Sequence, residues 1–225
     1  MEVKMKKSHN SILRFSSRLF SVLLVLMLVG VVFVPAVAAD NVKLTAEEYP
    51  MELISSSGTS KEYMVYSDAE KTKPVYFVRS EQVVIDSKLV NTAKIYAVDE
   101  NGRATSDVEF GFDSYWWHDE EGGLHIHIGP SDMGILKGAQ GGALNIVIVF
   151  LTAGASLGVQ IAAGILSPLA SIIVDACYGP YVNPDGSLDV YVDQLTQTLI
   201  PIYIALPGVL PVMIRLGNTD VPYFF

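Results

Sequence analysis

Apolar and polar positions follow two different rhythms along this chain. Between residues 61 and 128 the apolar residues come in short β-branched and aromatic runs: Tyr63–Tyr66, Val75–Val78, Val83–Ile85, Ala93–Val98, Asp107–Phe112, Tyr115–Trp117 and Leu124–Ile128. Runs of that length and composition read as strands. Asn101-Gly102 between two of them is a hairpin turn signal, and His118 to Gly123 forms a second turn. The predicted local structure is an antiparallel meander. Alternation puts Leu124, Ile126 and Ile128 on a core face, with His125 and His127 on the other. Trp116 and Trp117 are adjacent and so point opposite ways.

At Gly129-Pro130-Ser131-Asp132 the rhythm changes to a helix start. From Gly138 to Val174 no charged side chain occurs. Small or polar residues recur at Gly134, Gly138, Gly141, Asn145, Thr152, Ser156, Gln160, Ala163 and Ser167, in steps of three and four with one of seven. That spacing is one stripe on a helix, with an eleven-residue repeat close to a straight α-helix. It predicts a long glycine-rich apolar helix over 131–176, with a helical hairpin turning near Gly154 as the alternative. A helix apolar nearly all round is buried in protein or in lipid. Both readings of 143–166, membrane span and buried core, stay open. Gly134, Gly138, Gly141, Asn145, Thr152, Ser156 and Gln160 are the candidate contact stripe for a membrane or for a second copy of the chain, because small residues let helices approach closely.

After Cys177 the pattern returns to β, over 178–225. Turns are expected at Tyr178-Gly179-Pro180 and Asn183-Pro184-Asp185-Gly186, and Leu188–Val192 alternates as a strand. Ile202–Leu206 and Val212–Leu216, joined by Pro207-Gly208, read as an edge hairpin. The expected fold class is therefore α+β: a β meander over 61–128, a long apolar helix, and C-terminal β structure. Residues 40–60 read as a polar lead-in, with Ser55–Ser60 as a loop.

The first 39 residues change the picture of where the protein works. Lys4, Lys6, Lys7, Arg14 and Arg18 precede an uncharged run from Leu19 to Val34, then Pro35-Ala36-Val37-Ala38-Ala39. Basic, apolar, small-residue is the layout of a secretory signal peptide. The chain is expected to be exported, as a secreted, surface or membrane-associated protein. Without that segment ten basic and twenty-three acidic residues remain, a formal net charge of −13. Such acidity argues against nucleic acid as a partner. Cys177 is the single cysteine, so an intrachain disulfide framework is excluded.

Candidate chemistry is sparse. His118, His125 and His127 lie within ten residues, and His-x-His on a strand puts two imidazoles on one face. With Asp119, Glu120 and Glu121 nearby, these three histidines are the candidate metal ligands, zinc being the expected ion. Tyr115-Trp116-Trp117 is a candidate aromatic platform for a glycan or a partner. No nucleophile elbow, P-loop, zinc-protease helix, paired-cysteine motif or dinucleotide fingerprint is present. The expected function is thus non-enzymatic: an envelope or surface protein whose helix inserts in a membrane or self-associates. The alternatives are a soluble secreted binding domain with the helix as its core, and a metal-binding protein using the histidine hairpin.

Overall fold

The computed structural model describes residues 50–139, 142–155, 166–205 and 211–224. The expected leader, residues 40–49 of the expected lead-in, the Pro207-Gly208 turn, and Gly141, Ser156, Gln160 and Ala163 of the stripe lie outside the described residues. Ten strands form one antiparallel sheet. They are β1 (Met51–Ser57), β2 (Ser60–Tyr66), β3 (Pro74–Ile85), β4 (Lys88–Val98), β5 (Ala104–Phe110), β6 (Tyr115–His118), β7 (Leu124–Ile128), β8 (Leu188–Val192), β9 (Val212–Leu216) and β10 (Thr219–Tyr223). Four short helices interrupt them: α1 (Pro130–Gly138), α2 (Ala143–Ala155) and α3 (Leu166–Cys177) between β7 and β8, and α4 (Gln194–Ala205) between β8 and β9.

Neighbours in sequence are mostly neighbours in the sheet, so the meander extends well past residue 128. Two-residue turns set the register. Asp86 and Ser87 both have positive φ, 50° and 64°, which suits the twist of the β3–β4 hairpin. One side of β4 pairs with β3 along nearly its whole length. On the other side the C-terminal half of β4 takes β5 and its N-terminal half takes β6, where Asn91 faces Trp116. Both free edges are blunted: β1 carries a bulge between Leu53 and Ser55, and β10 carries Pro222.

The α+β expectation is corrected: the architecture is sheet-dominated, and the helical part is broken rather than continuous. An unbroken helix over 131–176 would reach about 70 Å at 1.5 Å per residue. The longest strand has 12 residues, and at about 3.4 Å each could cover little more than half of that. Glycine also weakens helix interiors by about 0.5–1 kcal/mol each, and Gly138 and Gly142 flank the break between α1 and α2. Among the described members of the stripe, Asn145 and Thr152 are half-buried. Gly134 and Gly138 are exposed, with open space where a side chain would begin.

A second correction falls at 199–216. The stretch read as a hairpin starts as α4, and β9 pairs instead with β10 through the Gly217-Asn218 turn. Asp193 caps α4: its carboxylate accepts the Thr196 backbone N–H at 2.8 Å and the Thr196 hydroxyl at 2.6 Å. In addition, β1 forms within the expected lead-in, at Met51–Ser57, and the turn there narrows to Gly58-Thr59.

One face of the sheet meets the helices. Leu124, Ile126 and Ile128, Leu188, Val190 and Val192, and Val212, Ile214 and Leu216 are all buried, and each alternates with more exposed neighbours. Helix α2 lies against β3, β4 and α3. Ile146 to Leu151 are buried without exception, so this helix is covered on all sides. No helix among the described residues is long and apolar enough to cross a membrane. Cys177 is buried beside Met133, with its thiol bonded to the Ile173 carbonyl, and burial pushes its pKa up to about 11.

Candidate functional site

The outward face of β6 to β10 carries the densest chemistry. Five residues from five strands stand directly opposite one another in a single row: Trp117, His125, Tyr191, Arg215 and Asp220. A second row holds Tyr115, His127 and Asp189. The period-two pleat forces this arrangement, because the same strands send their apolar residues inward.

The row is closely stacked. The Trp117 and His125 rings are 4.5 Å apart at 6°, and His125 and Tyr191 are 4.6 Å apart at 45°. Lys88 Nζ lies 4.6 Å from the centre of the Trp117 ring, and the Arg215 guanidinium lies 5.5 Å from that of Tyr191. In the second row Tyr115 stacks on His127 at 4.7 Å and on Trp117 at 5.8 Å. The ladder therefore begins and ends with cations over rings, an arrangement favoured by the ring quadrupole.

Each imidazole of this face is held by one carboxylate. His125 Nε2 donates to Asp119 Oδ2 at 3.0 Å, and His127 Nδ1 donates to Asp189 Oδ1 at 2.8 Å. Asp119 Oδ1 also takes the backbone N–H groups of Glu121 and Gly123, which closes the β6–β7 turn. Asn183 supports Asp189 from below, its amide donating to Oδ2 at 2.8 Å. The hydrogen bond from His125 holds the Asp119 carboxyl below the usual carboxylate range, and that from His127 does the same to Asp189.

His118 is elsewhere. It pairs with Leu124, whose side chain points to the core, so its ring lies on the opposite face from His125 and His127. There it packs edge-on to Trp116, 5.8 Å away, and its Nδ1 is buried without a partner. Burial pushes its pKa below the ordinary 6.5 against a smaller opposing hydrogen bond with Gln197. The structure thus brings together two of the three expected metal ligands and leaves the third across the sheet. Among the described residues no three His, Cys, Asp or Glu side chains are grouped to hold an ion.

Comparison with protein-family models, with curated proteins and with solved structures finds no match to this chain.

Trp116 is fully buried and Trp117 is not, as adjacent strand positions require. The expected aromatic platform has a different form, however. Neighbours cover the ring faces of Trp117 and His125, so edges and polar tips meet the solvent. Over them lies a shallow depression of about 450 Å³, walled by Trp117, His125, Asp189, Tyr191 and Arg215, with Gly217 at its rim. Sequence reasoning missed Asp189, Tyr191, Arg215 and Asn183. Alternation in Leu188–Val192 already put Asp189 and Tyr191 on one face. Pairing of β8 with β7 across a 59-residue excursion is what brings them to the histidines.

Proposed function

We propose that this chain is an exported, non-catalytic binding domain that folds around its own apolar helix and meets its ligand on the outer face of β6 to β9. One observation carries the reading: every residue from Ile146 to Leu151 is buried within the chain itself. The apolar helix has its partners already, which supports a core role over insertion in lipid. The outer face, by contrast, gathers aromatic, cationic and carboxylate groups around a depression, the usual character of a ligand contact. Binding is favoured over catalysis because no hydroxyl or thiol nucleophile bonds to either outer imidazole among the described residues. Export rests on the basic, apolar and small-residue layout of residues 4–39.

The test is fractionation of the native protein. Its N-terminus should be Ala39 or Asp40, and it should leave the cell or periplasm without detergent as a monodisperse species. Retention of the processed chain in the membrane pellet, released by detergent alone, would sink this reading in favour of helix insertion.

A further inference from the structure

The depression over the ladder has unused hydrogen-bonding capacity of a particular kind, and from it we infer that it is a site for a neutral polyhydroxylated ligand, a saccharide. The inference rests on the binding-domain reading and names its ligand class. The groups already engaged can be subtracted first. Asp189 receives one bond on each oxygen, from His127 and from Asn183. A carboxylate offers about four lone-pair sites, so two remain. Arg215 uses its Nε on Asp220, and its terminal nitrogens make no hydrogen bond among the described residues. The Tyr191 hydroxyl and His125 Nδ1 are likewise unbonded there. Open acceptors on Asp189 and at His125 Nδ1 thus lie within one depression beside open donors on Arg215 and a Tyr191 hydroxyl that is both.

A hydroxyl donates one hydrogen bond and accepts two, so a vicinal diol can satisfy a carboxylate and a guanidinium together. The mixed charge of the lining favours a neutral ligand over an ion of either sign. An anion would face the Asp119 and Asp189 carboxylates, and a cation would face Arg215. The volume, about 450 Å³, falls at the small end of ligand sites. Ring faces are consumed within the ladder, so recognition proceeds by hydrogen bonds more than by stacking. For so open a site that implies weak affinity, with Kd about 1 mM.

Trp117 sits in the wall of the depression, while Trp116 is fully buried. Intrinsic fluorescence therefore reads the site. The purified processed protein would be titrated with glucose, galactose, mannose, N-acetylglucosamine and N-acetylgalactosamine, with sodium phosphate and choline chloride as charged probes. A saturable change with at least one sugar, and none with phosphate or choline, is expected. Asp189→Asn and Arg215→Gln should each weaken that sugar at least tenfold, with Lys94→Ala on β4 as the unaffected control. Arg215 is half exposed, so its replacement tests the site even if Asp189→Asn unfolds the chain. Saturation by phosphate or choline, no saturation by any sugar, or sugar binding unchanged in Arg215→Gln would each overturn the inference. Failure here leaves the fractionation result standing, so the two readings fail separately.

Discussion

Trp117 and His125 face each other across β6 and β7 with their rings parallel to within 6° and 4.5 Å apart. The pair sits at the middle of a run of contacts that passes from Lys88 through both rings to Tyr191 and Arg215. Aromatic pairs of this kind contribute about 0.5–1.5 kcal/mol beyond their buried area. Here the stack also fixes the imidazole plane, so that Nε2 meets Asp119.

Removing the indole should therefore cost more than a surface substitution. Trp117→Ala loses the stacks on His125 and Tyr115 and the Lys88 contact, and a loss of about 2–3 kcal/mol is expected. Trp117→Phe should recover about half of it. Urea unfolding midpoints check this; an alanine variant within 0.5 kcal/mol of the parent, roughly the spread of ordinary surface changes, would mean that the ladder is not cooperative.

His118 makes the fold sensitive to mild acid. The unfolded chain takes up a proton at this position near the ordinary 6.5, whereas the half-buried ring of the folded chain does so at a lower pH. The unfolded state thus binds more protons between those two values, and its contribution to stability is complete above about 6.5 and lost as pH falls through the gap. His118→Gln should flatten the pH dependence of the urea midpoint between about pH 7 and 5, the range in which an imidazole titrates. An identical slope in both proteins would assign the acid sensitivity to other groups.

Asp119 and Asp189 act further down the scale. Their carboxyls are held below the ordinary 3.8 by His125 and His127. Their contribution is present above that value and disappears as pH falls through the lower folded values. Asp189→Asn should remove part of the stability loss seen below about pH 4 without touching the region near neutrality. Thermal melts along a pH series distinguish this from the His118 effect.

A reciprocal clasp anchors α1. Asp132 is fully buried and accepts the backbone N–H groups of Gly111, Phe112 and Asp113 and the Ser114 hydroxyl, the last at 2.6 Å. Asp113 in turn accepts the N–H groups of Ser131 and Asp132, at the start of a helix whose own N-cap, Gly129, has no side chain to offer. Asp132→Ala should cost about 3–5 kcal/mol, since four donors, two of them fully buried, lose their acceptor. Asp113→Ala should cost about 1 kcal/mol, the worth of a cap. Equal losses in chemical denaturation would contradict this ranking.

Gly134 tests the small-residue stripe directly. It is exposed within α1, and nothing in the chain lies within 4 Å of where a side chain would start. Gly134→Ala should stabilise the protein by about 0.5–1 kcal/mol through helix propensity and leave its oligomeric size unchanged. A fall in melting temperature or a change in assembly would restore the stripe as a contact surface between copies.

Residues 61 to 128 were legible as β because two of their turns are local signals, Asn101-Gly102 and His118 to Gly123, whereas Val75–Val78 and Val83–Ile85, expected as separate runs, join in the single strand β3 that turns at Asp86-Ser87. Alternation alone also separates His125 and His127 from the core, and Trp116 from Trp117. The apolar segment after Pro130 was legible as helical, since its period is local. Its length was not. A glycine-rich uncharged run is compatible with one long helix or several, and the limit comes from the size of the sheet that must cover it. The Asp193 cap was readable, but the prolines that follow it resemble an edge strand just as well.

The site divides along the same line. Local sequence determines that two imidazoles share a face, and the pleat guarantees it. That His118 turns away from them follows from its register against Leu124, which depends on how the β6–β7 turn closes around Asp119. Asp189, Tyr191 and Arg215 reach the histidines solely because β8 and β9 return beside β7 after the helices have packed. Pairing between strands so distant in sequence is selected by burial of Leu188, Val190 and Val192 against the helical core. The sequence by itself settles which residues are polar on each strand; the tertiary structure decides which strands are neighbours, because only the shared core makes one register lower in free energy than its alternatives.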